Sequence, residues 1–240
     1  MPLPDPLIAA IHGPLLWLPV TLAIYAAGTA LYRGFNKAPF LNPTLFTIAG
    51  VAAVLMTASV PYEKYFEAVS VLHYLLGTAV VALALPLYGN LRRLQGRGVA
   101  LVLGLVAGSL ASILVGMAVA SLAGASKFAI LSLAPKSATA AVSMEIARLT
   151  GGVPAVTGVL TILAGIIGAV TGPYVLDLAG IRTPEARGFA LGVASHGIAT
   201  ARAFSEGEIA GTFAGLGMAL NAVLTACVVP FLLRAFGFGS

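Results

Sequence analysis

Between Ser132 and Glu208 the chain sets Lys136, Glu145, Arg148, Arg187, His196 and Arg202 among helix-length apolar segments. The side chains best suited to hold a solute fall in two small-residue runs. These are Leu133-Ala-Pro-Lys-Ser-Ala-Thr-Ala-Ala-Val142 and Ser195-His-Gly-Ile-Ala-Thr-Ala-Arg-Ala-Phe204. Ionisable groups at membrane depth are costly, so their presence points to a polar pathway. In the first run Pro135 can open a helix whose free N–H groups, with Ser137 and Thr139, form an anion nest beside Lys136. In the second, Arg202 can bind a carboxylate bidentately, and His196 can exchange a proton near neutral pH. Ser195 and Thr200 add hydroxyls, and Asn42 is a further polar candidate.

Each of these residues also has a bland reading. Lys136 can snorkel to an interface while Pro135 merely starts a helix. His196 can hydrogen-bond a neighbouring helix, and Arg202 can end its own. On an unbroken helix His196 and Thr200 share a face while Arg202 points elsewhere, so only a break near Gly197 lets all three converge. Glu145 and Arg148, three residues apart, read as a structural pair, and Arg187 as a cap on a span.

These side chains must be positioned by a membrane protein. The 240 residues are 59% hydrophobic and 9% charged, with a mean hydropathy of +1.01. Soluble domains carry roughly 25% charged residues, so an all-α integral membrane protein is expected. Eight apolar segments stand out: 14–32, 42–60, 69–91, 98–124, 128–149, 153–180, 186–204 and 209–236. They are read as one multi-pass membrane domain, 1–240. A faint echo between Leu76-Gly-Thr-Ala and Leu191-Gly-Val-Ala suggests two repeats, 14–124 and 125–236, with discontinuous helices meeting at mid-membrane.

The charge of +5 reads as Lys and Arg gathered in cytoplasmic loops rather than as a nucleic-acid surface. Arg33 and Lys37, then Arg92, Arg93 and Arg97, put loops one and three inside and the N-terminus outside. Past residue 125 the rule weakens, because Arg148, Arg182 and Arg187 would need alternating sides; a broken or re-entrant segment there is one explanation. The single cysteine, Cys227, excludes an intramolecular disulfide and a cysteine-based metal cluster. No H-E-x-x-H, Walker loop or G-x-S-x-G is present, so neither an enzyme nor a metal or cofactor is expected.

The ordered motifs Leu133-Ala-Pro-Lys-Ser137, Gly151-Gly-Val-Pro-Ala155, Ala186-Arg-Gly-Phe-Ala-Leu-Gly192, Ser195-His-Gly-Ile-Ala-Thr-Ala-Arg-Ala203 and Glu206-Gly-Glu208 resemble the LrgB/CidB family. That family is also called antiholin-like and includes the plastidal glycolate/glycerate translocator of plants. Thr78 and Ala141 stand where the family often has proline. The resemblance implies transport of glycolate, glycerate or related short hydroxy- and keto-acids, with His196 as proton-coupling candidate. It also implies an older alternative: a holin/antiholin-like protein that modulates murein hydrolase activity and lysis with an LrgA/CidA-type partner. The expected setting is the cell's inner membrane, with a small organic anion as substrate, the lipid bilayer as solvent and a homodimer as assembly.

Overall fold

A computed structural model describes residues 14–35, 43–72, 75, 81–82, 84–90, 92 and 95–238. Asn42, His12 and His73 lie outside these, as does most of the segment around Leu76. Ten helices are described: α1 (Pro14–Gly34), α2 (Pro43–Thr57), α3 (Tyr62–Ala68), α4 (Ala84–Gly89), α5 (Gly98–Leu122), α6 (Lys127–Leu133), α7 (Ala140–Thr150), α8 (Pro154–Leu178), α9 (Pro184–Glu206) and α10 (Glu208–Ala235). Contacts divide the chain into two compact units, Met1–Ala82 and Leu83–Ser240.

In the first unit Trp17, Val51, Leu55, Val60 and Val69 form the core. Tyr65 turns inward, its ring edge-on to Trp17 at 5.8 Å and its hydroxyl 3.1 Å from Thr21 Oγ1. Such a pair adds about 0.5–1.5 kcal/mol beyond burial.

In the second unit α5, α8 and α10 are each long and apolar enough to cross a bilayer. Segments 128–149 and 186–204 are not straight spans, and the backbone shows why. Helix α9 breaks at Ser195 (φ −144°, ψ 22°) and His196 (φ 44°, ψ −140°). Arg187 Nε lies 3.3 Å from Glu206 Oε2, whereas nineteen residues of continuous helix would hold them about 28 Å apart. The chain therefore turns back on itself. Contacts with α10 agree. Gly188 faces the Ala210 carbonyl and Gly192 that of Ala214, so the first arm runs parallel to α10. Phe204 meets Gly211 and Thr200 meets Met218, so the second arm runs antiparallel.

Helices α6 and α7 make a second hairpin. Its turn is Ala134–Thr139, and the chain leaving α7 crosses the C-terminal end of α6, where the Val153 N–H donates to Ser132 Oγ at 2.8 Å. A Cβ at Gly152 would press on the Leu131 and Ser132 backbone, so glycine permits this crossing.

The two hairpins enter from opposite ends. Helix α8 starts beside Ser132, passes His196 at Thr161 and Ser195 at Gly168, and ends where Asp177 pairs with Arg187 at 2.6 Å. Helix α10 shows the opposed directions: its first half meets the first arm of α9 at Ala210 and Ala214, Asn221 meets the α6–α7 turn, and Val229 and Leu233 pack with Ile130 and Ile146 of α6 and α7. Among the buried positions of α8, Thr157, Thr161, Gly165, Ala169 and Pro173 recur at helical spacing and are mostly small. Small residues let helix backbones approach closely where lipid gives no hydrophobic drive to pack.

The α9–α10 contact has the least room. A Cβ at Gly188 or Gly192 would overlap a carbonyl of α10, and backbone cannot yield as a side chain can. Gly192→Val is expected to destabilise the folded protein by more than about 3 kcal/mol. Thermal melting in detergent checks this, with the exposed Leu178→Val as a control that melts like wild type.

Candidate functional site

A helix that stops inside a protein leaves carbonyl and N–H groups without helical partners, and in an apolar setting each must be met. Both breaks meet this demand with side chains. At the α6–α7 turn, the Asn221 amide donates to the Ser137 carbonyl at 2.9 Å, and Ser143 Oγ donates to the Pro135 carbonyl at 2.7 Å. Asn221, Ser137 and Ser143 are fully buried. At the α9 break, Thr200 Oγ1 donates to the His196 carbonyl at 2.8 Å. His196 Nε2 lies 2.9 Å from the Thr161 carbonyl. A carbonyl only accepts, so Nε2 carries the proton, and neutral imidazole keeps its lone pair on Nδ1.

The φ of 44° at His196 is a backbone state that side chains other than glycine rarely adopt. Such strain persists only where the surroundings over-determine it, and such positions cluster at ligand clamps and switch regions. Here Gly165 and Gly168 leave the space that the His196 ring and Ser195 Oγ occupy.

The two tips reach nearly the same depth. Met218 Sδ is 3.9 Å from Thr200 Oγ1 of one tip, and Asn221 holds the other. Three residues of α10 separate them, about 4.5 Å along the axis. Helix α5 gives the same result from the other side: Gly108 packs on Val193, just before the α9 break, while Ser112 binds Lys136. The Lys136 ammonium sits 3.0 Å from Ser112 Oγ and 3.4 Å from the Ser112 carbonyl. Both partners are neutral, and an ammonium has three donors, so one is left over.

Three hydroxyls in this layer, on Ser109, Ser137 and Thr161, are buried and have no hydrogen-bond partner among the described residues. A buried hydroxyl left unmet costs about 1–3 kcal/mol. Three of them around two helix breaks could exchange hydrogen bonds with a polar solute.

Of the residues singled out from sequence, Lys136, Ser137, Ser195, His196 and Thr200 lie at the two tips. Thr139 is there too, as the residue preceding α7, its carbonyl accepting from the Ser143 N–H. Arg202 does not join them. It lies at the base of its hairpin, its Nε 3.8 Å from Glu206 Oε1, beside Arg187, which binds both Glu206 and Asp177. The physical reason is the reversal after His196: six residues down the second arm, Arg202 is carried about 9 Å from the tip. Arg187 is accordingly a tie between two arms and α8 rather than the cap of a span. Glu145 and Arg148 pair at 2.9 Å on an exposed face, as their spacing suggests. Sequence reading left out Ser109, Ser112 and Thr161. A signal for Thr161 was present in α8, where Thr157 and Thr161 share a stripe with Gly165.

With this geometry in view, the relatives are informative. The profile of the LrgB-like family matches residues 21–235. The chain belongs to that family. YxaC of Bacillus subtilis is 37% identical over 217 residues, covering 90% of this chain and 94% of its own. YwbG of the same organism is 34% identical over 214 residues, covering 89% and 95%. The holin-like protein CidB of Staphylococcus aureus strain Mu50 is 30% identical over 222 residues, covering 92% and 96%. No solved structure matches the chain.

Asn221 supplies the clearest local test. Asn221→Ala strands the Ser137 carbonyl and is expected to lower stability by about 1–3 kcal/mol. Thermal melting would show it, and unchanged melting would mean the bond is not made.

Proposed function

We propose that this family member is a secondary carrier for small monocarboxylates such as glycolate, glycerate or related hydroxy- and keto-acids. The observation carrying this reading is the meeting of two oppositely directed hairpin tips within one helical turn, lined by buried hydroxyls without partners. Paired broken segments of this kind belong to transporters that bind solute near the bilayer midplane. The arms fit that depth: 184–194 and 197–206 are about 16 Å and 15 Å long, each about half of a 30 Å hydrocarbon core. On this reading the multi-pass protein sits in the cell's inner membrane. Its repeats are α5 with the α6–α7 hairpin and α8 with the α9 hairpin, related by inversion.

Lys136 would take the carboxylate with its remaining donor, and Ser137 and Thr161 would bind its oxygens. His196 Nδ1 would accept from the substrate hydroxyl, or take up the proton that accompanies transport. The chemistry is binding and release, without an enzymatic step. In proteoliposomes with an imposed proton gradient, glycolate or lactate uptake is expected. Lys136→Ala and His196→Ala should each lower it at least tenfold, while Arg148→Ala should leave it intact. Folded protein that moves none of these acids, nor glycerate or pyruvate, contradicts the reading.

The names of the CidB relatives favour a second reading. In it the chain, like the relatives named holin-like protein CidB, is a holin-like or antiholin-like membrane protein, one that modulates murein hydrolase activity and lysis with an LrgA/CidA-type partner. That role needs no buried binding site. A lysis phenotype that survives both Lys136→Ala and His196→Ala would favour it.

A further inference from the structure

Beside the α9 hairpin lies a cleft of about 580 Å³ that the transport reading does not use. Its walls are α5 and the first arm of α9. Small residues at Ala100, Gly104 and Gly108 line the α5 side at helical spacing. Phe189, Val193 and fully buried Phe213 form the opposite wall and floor. Its charged groups are Arg97 and Glu185, paired at 3.2 Å, and the Arg97 side chain is half exposed.

We infer that this cleft binds one acyl chain of an anionic phospholipid, with the headgroup at Arg97. The cleft is apolar along its length and within the roughly 300–1,000 Å³ of ordinary ligand sites. Water gains nothing from such a surface, whereas each buried CH₂ contributes about 0.8 kcal/mol. Acyl chains are the apolar molecules that surround a membrane protein at the highest concentration. The charge at the cleft supports an anionic head. A guanidinium offers five donors, so Arg97 can hold Glu185 and a phosphate together. Arg92, which is exposed, and Arg93 precede it in the sequence. The rule that puts Lys- and Arg-rich loops on the cytoplasmic side puts Arg97 at the leaflet that carries anionic lipid. The inner end of the cleft is Val193–Ala194, next to the Ser195–His196 break, so a bound chain would brace the arm that carries the tip.

Native mass spectrometry of the protein, exchanged into detergent with phosphatidylglycerol or phosphatidylcholine, tests this without reference to transport. Wild type is expected to retain one phosphatidylglycerol. Gly104→Leu, which puts a side chain into the cleft where Phe189 is at ordinary contact distance, should lower retention at least tenfold. Arg97→Gln should lower it for phosphatidylglycerol while leaving phosphatidylcholine unchanged. A melting curve for each variant separates cleft filling from unfolding. Equal retention of both lipids by wild type overturns the proposal, as does equal retention by the two folded variants. A second copy of the chain that occupies the cleft and excludes lipid overturns it too.

Discussion

An interrupted helix inside an apolar unit leaves backbone groups that lipid cannot satisfy, and the second unit is arranged around that constraint. Asn221 and Ser143 answer the carbonyls of one break, Thr200 a carbonyl of the other, and the His196 ring anchors itself on α8. The Asn221 and His196 bonds join a break to α10 and to α8, while those of Ser143 and Thr200 stay within their own hairpins. Meeting the breaks therefore also fixes both tips at one depth. The glycines follow from the same demand. A half-helix can lie close enough to α8 and α10 to be capped only where a Cβ is missing, as at Gly165, Gly168, Gly188 and Gly192.

The charges divide the labour with those polar caps. Asp177, Arg187, Glu206 and Arg202 gather at the base of the α9 hairpin, and Arg97 ties Glu185 to α5 nearby. Partly exposed pairs contribute little each, but a network that joins two arms and two neighbours defines a register. The tips carry different groups: neutral hydroxyls, an imidazole, and the ammonium of Lys136 on neutral partners. The ion pairs are kept at the base, and at the tips the Lys136 ammonium is met by neutral dipoles alone. Such a layer can receive an anion without first breaking a salt bridge.

Much of this was legible in the sequence. Pro135-Lys-Ser137 and Ser195-His196-Gly197 announced breaks through residue types that helices use sparingly. The puzzle of Arg148, Arg182 and Arg187 on alternating sides pointed to a broken or re-entrant segment, and α9 is broken at Ser195–His196 and doubles back. What could not be read was direction. Residue spacing says where a helix stops, not that the chain then doubles back, and that reversal moved Arg202 from tip to base. Nor could spacing reveal which hydroxyls of α5 and α8 face the tips, since Ser109 and Thr161 sit in apolar helices like many others. The eight apolar segments also hide which are spans, because two arms of a hairpin are as apolar as one crossing helix.

The central claim is that one solute touches both tips. Thr139→Cys and Gly197→Cys, each in a Cys227→Ser background, put a thiol on either tip where the residue is not fully buried. Rates of thiol modification with and without glycolate then test the claim. Slowed modification at both positions, with an exposed Leu178→Cys unaffected, is the predicted result. Protection at only one tip, or at neither, would contradict it.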